Sequence, residues 1–138
     1  MKEEKWREFK TFIEEWKETP EKNRAMFLHF REYLSKKEGV MLDFIPRSGV
    51  TYSFRAVHTD QDEKGFFVMV DVIEDDPRWL SICFYCEMIA DPEEKGVFVP
   101  EGLIGEDAVC FDLEQRDEAL IRYIETRMDE ACRNAAKK

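Results

Sequence analysis

The apolar residues change their spacing twice along this chain of 138 residues, and that constrains the fold more than any other feature of the sequence. From the N-terminus they recur every three or four positions: Trp6, Phe9, Phe12, Ile13 and Trp16, then Met26, Phe27, Phe30, Tyr33 and Leu34. That period places each set on one face of a helix. It predicts helices over residues 3–17 and from about 20 to Lys37, with Thr19 as N-cap, Pro20 at the first helical position and Gly39 as the stop. From residue 40 the pattern shortens into runs rich in β-branched and aromatic residues, over 40–45, 50–57, 66–73 and 79–86, with shorter runs at 97–99 and 108–113. Pro46-Arg47-Ser48-Gly49, the segment from Asp60 to Gly65, and Asp75-Asp76-Pro77 punctuate them. Pro100 is expected to end the fifth run. Helical spacing returns over 115–135 through Leu120, Tyr123, Ile124, Met128 and Ala131.

Connections this short join antiparallel neighbours, because a parallel return needs a dozen or more residues. The expectation is a single α+β domain spanning residues 1–138. It has two N-terminal helices, an antiparallel meander of five to six strands, and a long C-terminal helix on the sheet.

The charge is uneven. Of a formal net charge of −10, residues 39–113 hold five Lys/Arg against sixteen Asp/Glu, while both helical ends are near neutral. The sign argues against binding a nucleic-acid backbone or an anionic lipid surface, and favours a neutral or cationic partner. Mimicry of nucleic acid fits the same sign, but needs ordered carboxylate rows. No apolar run reaches membrane-spanning length and no secretory leader is evident, so a cytoplasmic setting with Cys83, Cys86, Cys110 and Cys132 reduced is the expectation. Loops holding Asp60, Asp62 and Glu63, or Asp91, Glu93 and Glu94, would suit a hard cation, but EF-hand spacing is missing and no metal or cofactor is expected. Cys83-Phe84-Tyr85-Cys86 is a lone Cys-x-x-Cys, short of the second pair that zinc needs and of the following helix that a redox motif uses. His29 and His58 read as surface positions, and Arg55 as a charge among apolar neighbours with an acidic partner.

Strand register, counted from the turns, pairs Ile45 with Val50, Val57 with Phe66, and Ile73 with Trp79. Asp43, Tyr52, Asp71 and Ser81 then form a polar row on one face, walled by Phe54 and Trp79. Apolar walls around a few convergent polar groups describe a ligand site. The sequence therefore points to a non-enzymatic binding or interaction module, for an unidentified small molecule or protein, on an aromatic-lined sheet face. The stripe of the first helix offers a further docking face, with homodimerisation as one use. The alternative is a small enzyme with an acid–base or metal-assisted site at Asp43, Tyr52 and Asp71, with His58 beside them.

Overall fold

The computed structural model describes residues 3–60 and 65–136. Helix α1 spans Glu3–Glu15 and α2 spans Asn23–Ser35. Strands β1 (Val40–Arg47), β2 (Thr51–His58), β3 (Val68–Ile73) and β4 (Trp79–Tyr85) follow, then a single 3₁₀ turn at Cys86–Met88. Strands β5 (Val97–Leu103) and β6 (Glu106–Leu113) lead to α3 (Glu118–Ala136). The architecture is the expected α+β one, with every strand pair antiparallel. The sheet order is β1-β2-β3-β4-β6-β5. The meander is thus sequential through β4, after which β5 takes the outer edge and β6 fills the gap beside β4. No described helix is long and apolar enough to cross a membrane.

Local chemistry explains most boundaries. Helix α1 stops at Glu15, two residues before the expected end, and α2 starts at Asn23 rather than at Pro20. Thr19 instead begins a turn closed by the Lys22 N–H on the Thr19 carbonyl at 2.9 Å. The Glu18 carboxylate takes the orphan N–H groups of the new helix, accepting from Ala25 at 2.8 Å and Arg24 at 3.2 Å. Asp117 plays the same part for α3, accepting from Leu120 N–H at 3.1 Å. Gly39 lies at φ +77°, the left-handed stop that its sequence position predicts. Pro100 does not end β5. The strand runs on to Leu103 with a register shift between Val99 and Leu103, and an edge strand with a bulge is where a sheet accepts proline.

All three helices pack on one face of the sheet. In register across five strands, that face carries Phe44, Phe54, Val70, Ile82 and Phe111, each at most 1% exposed. Phe9 meets Phe44 edge-on at 5.2 Å between ring centroids, Phe27 reaches Phe54 at 5.0 Å, and Tyr123 reaches Phe111 at 5.9 Å. The stripe of α1 is used up in this core: Phe9, Phe12, Ile13 and Trp16 are buried, and only Trp6 stays partly exposed. The stripe of the first helix is thus mostly taken up by the core, with Trp6 exposed near its start.

One buried polar side chain pins the layers together. Asn23, 1% exposed, donates from Nδ2 to the carbonyls of Arg78 at 2.7 Å and Glu114 at 3.0 Å. It ties the start of α2 to the strand ends of β4 and β6, and the Arg116 N–H on the Glu21 carbonyl at 2.9 Å reinforces the join.

Candidate functional site

The face turned away from the helices carries a different row. Ile45, Ser53, Asp71, Ser81 and Asp112 lie side by side on β1, β2, β3, β4 and β6. The expected polar row is present in part. Asp71 and Ser81 are direct partners, and Ile73 pairs with Trp79, as the Asp75-Asp76-Pro77 turn implied. Trp79 sits at the end of the same face, its indole N–H donating to Asp75 at 3.0 Å.

Tyr52 and Phe54 are corrections. Tyr52 pairs with Pro46 and Val72, Phe54 with Phe44 and Val70, and both belong to the helix-covered face. Phe54 is fully buried. Tyr52 stacks on Phe12 at 4.1 Å, with the Arg78 guanidinium 5.5 Å from its ring. Asp43 stays on the face turned from the helices, but pairs with Arg55 rather than Tyr52 and lies exposed on the edge strand. Arg55 moves the other way, onto the open face between Asp43 and Met69. The trio Asp43, Tyr52 and Asp71 is therefore not assembled.

The cause is turn length. The β1–β2 turn holds three residues between Arg47 and Thr51, with Gly49 at φ +77° and the Val50 N–H on the Arg47 carbonyl at 2.8 Å. Counting four residues moved the pairing by an odd number, and with a side-chain period of two an odd shift exchanges the faces. The β2–β3 pairing is likewise one residue from the expected one. A signal for the true register was present in β2 itself. Ser53 and Arg55 alternate with Phe54 and Ala56, and a strand with one covered face puts the Phe and Ala inward and the Arg outward.

Asp71 anchors the site. It is half-buried and accepts a hydrogen bond from the hydroxyl of Ser53, which is only 5% exposed. Burial pushes the Asp71 carboxyl above the ordinary carboxylate range, against the downward pull of the Ser53 hydroxyl and the positive charges of Arg55 and Arg47. Asp112 is raised too, by burial. One serine, Ser81, lies between them, so the two carboxyl-bearing strands stand two sheet spacings apart, roughly 10 Å. Arg55 spreads over the ring of Phe66 at 5.0 Å, and Phe66 packs on Tyr85 at 5.3 Å, which covers the far end of this face. The Arg55 Nε is buried with no hydrogen-bond partner among the described residues.

The other candidates resolve into structural roles. His58 accepts the Asp60 N–H on Nδ1 at 3.0 Å and packs against Gly39, where an added Cβ would lie 2.9 Å from its Nε2. His29 pairs with Glu125 at 2.7 Å, joining α2 to α3. Asp91 accepts from the Gly96 N–H at 2.8 Å, the Lys95 N–H at 3.0 Å and the Tyr123 hydroxyl. Burial opposes its charge, but these donors prevail and hold its carboxyl below the ordinary value. Asp62 and Glu63 lie outside the described residues. Among those described, no group of three or more His, Cys, Asp or Glu converges as a metal site would require.

A concavity lies on the helix side. A groove of about 410 Å³ between α1 and β1 is floored by Phe12, Phe44, Pro46 and Tyr52 and rimmed by Arg7, Glu8, Thr11 and Glu15. No family model matches the chain, and neither curated proteins nor solved structures give a significant match.

Proposed function

We propose that this protein is a non-enzymatic binding module that takes a small neutral or cationic, hydrogen-bond-donating ligand on the open sheet face. The observation that carries this reading is Asp71, a half-buried carboxylate in mid-sheet on the face that no described helix covers. Desolvating a carboxylate costs stability. A perturbed carboxyl beside polar neighbours marks a candidate binding position. Ser53, Ser81 and Asp112 extend the acceptors along the row, and Met69, Ile73 and Trp79 supply apolar contact. The excess negative charge of the sheet region favours the same ligand class.

The test is NMR titration of the labelled protein with a panel holding a polyamine, an amino sugar and a neutral sugar. Shift changes should gather at Ser53, Asp71, Ser81 and Asp112, and Asp71→Asn and Trp79→Ala should remove them while the spectrum stays that of a folded protein. A panel that leaves the row unmoved counts against the reading. The α1–β1 groove favours a second reading, since about 410 Å³ with an aromatic floor lies within the size range of small-molecule pockets. Shifts confined to Phe12, Pro46 and Tyr52 would select it.

A further inference from the structure

Two residues along β4 from Ser81, the open face carries a thiol opposite a thiol. Cys83 and Cys110 are direct cross-strand partners on β4 and β6, and both residues are buried, at 6% and 9% exposure. Directly opposed residues of antiparallel strands have Cα atoms about 4.5–5.5 Å apart, inside the range of about 4.4–6.8 Å that a disulfide spans. The Ser81 hydroxyl lies 3.5 Å from the Cys83 sulfur. The Cys-x-x-Cys of the sequence is thus not the chemical unit. Cys86 has left the strand for the 3₁₀ turn, and Cys83 faces Cys110 instead.

We propose that Cys83 and Cys110 form an oxidisable dithiol that closes to a cross-strand disulfide on reaction with hydrogen peroxide. Each sulfur faces the other directly across the strand pair, so either can attack first and the other resolves. In the first step the thiolate of one cysteine attacks one peroxide oxygen. The O–O bond breaks, the sulfur is oxidised to a sulfenic acid, and the released hydroxide takes up a proton as water. In the second step the sulfur of the facing cysteine attacks the sulfenic sulfur. An S–S bond forms, the S–O bond breaks, and the departing hydroxide leaves as water with the proton of the resolving thiol. Two thiols and one peroxide give one disulfide and two waters. The low exposure of both residues favours the smallest oxidant over bulky disulfides. The bond would tie β4 to β6 beside Ser81 and Asp112, and it forms whatever ligand the open face takes.

Cys86 and Cys132, both less buried, serve as internal controls. The reduced protein is treated with hydrogen peroxide, denatured and alkylated, and its intact mass and tryptic peptides are read. The expected product has lost two of its four alkylatable thiols, carries a Cys83–Cys110 linked peptide, and returns to the starting mass with dithiothreitol. Cys83→Ala and Cys110→Ala should each abolish the crosslink and leave on the remaining cysteine of the pair a sulfenic acid that dimedone traps, while Cys86→Ala leaves the crosslink unchanged. Two outcomes overturn the inference: both thiols still alkylated after exposure that oxidises Cys86 or Cys132, or a crosslink that runs through Cys86. The wild-type readout needs no variant to fold.

Discussion

The two faces of the sheet differ by one position along each strand, yet they are built on opposite principles. Phe44, Phe54, Val70, Ile82 and Phe111 make a continuous apolar row under the helices. Their immediate neighbours Ile45, Ser53, Asp71, Ser81 and Asp112 make a mostly polar row on the other side. The first row is used for packing, where dispersion and the removal of apolar surface from water hold the layers together. The second contains groups whose burial works against stability, above all the Asp71 carboxyl. The contrast teaches that a packing row and a polar row can sit one residue apart in this fold, because alternation sends neighbours into different surroundings.

The strongest way to break that contrast is to mutate adjacent residues. Phe54→Ala empties a fully buried ring site between Phe27 and Val70 and should cost about 3–5 kcal/mol in urea unfolding. A cost near that of a surface substitution would dissolve the distinction. Asn23→Ala removes both donors to the Arg78 and Glu114 carbonyls and should cost about 1–3 kcal/mol by leaving those acceptors unpaired. Ser53→Ala, one position from Phe54 and buried almost as deeply, should cost about 1.5–3 kcal/mol, the worth of its hydrogen bond to the Asp71 carboxylate and less than the loss of the Phe54 ring.

Asp71→Asn sharpens the comparison through its sign. The folded state raises the Asp71 pKa, so folding favours the protonated carboxyl. The stability linked to this group is fully present below the unfolded carboxyl range and is lost as pH rises through the higher folded value. The neutral amide does not suffer that loss. The variant should therefore unfold at higher urea than the wild type at pH 7, with the difference shrinking on acidification toward pH 3. A variant less stable at pH 7 than at pH 3, relative to wild type, would show that Arg55 and Arg47 outweigh burial. The smallest stability effect belongs to Trp79→Ala, partly exposed at the end of the open face, at about 1 kcal/mol or less. Its effect on ligand-induced NMR shifts should be complete. The reverse pattern, large destabilisation with binding intact, would make Trp79 a packing residue.

The helices and strands were legible in the residues because each element carries its own period. So was the antiparallel pairing, since the connections are too short for a parallel crossover. The β3–β4 register was legible as well, and with it the Asp71–Ser81 pair. A third of the expected site was not. Tyr52 and Phe54 went to the wrong face because the count across two turns had the wrong parity, although Arg55 between Phe54 and Ala56 argued for the right one. Asn23 as the clasp between layers gave no signal, because a single polar residue at a helix start reads as an ordinary surface position.

By itself, then, the sequence determined the element types, their order, the antiparallel sheet and the acidic character of the sheet region. Each of those follows from local periodicity, turn chemistry or charge count. Only the tertiary structure decided which side chains share a face, that β6 slots between β4 and β5, and that Cys83 meets Cys110. Those depend on register and strand order. A one-residue change in a turn inverts register, and strand order is settled by burial across the whole sheet rather than within any one segment.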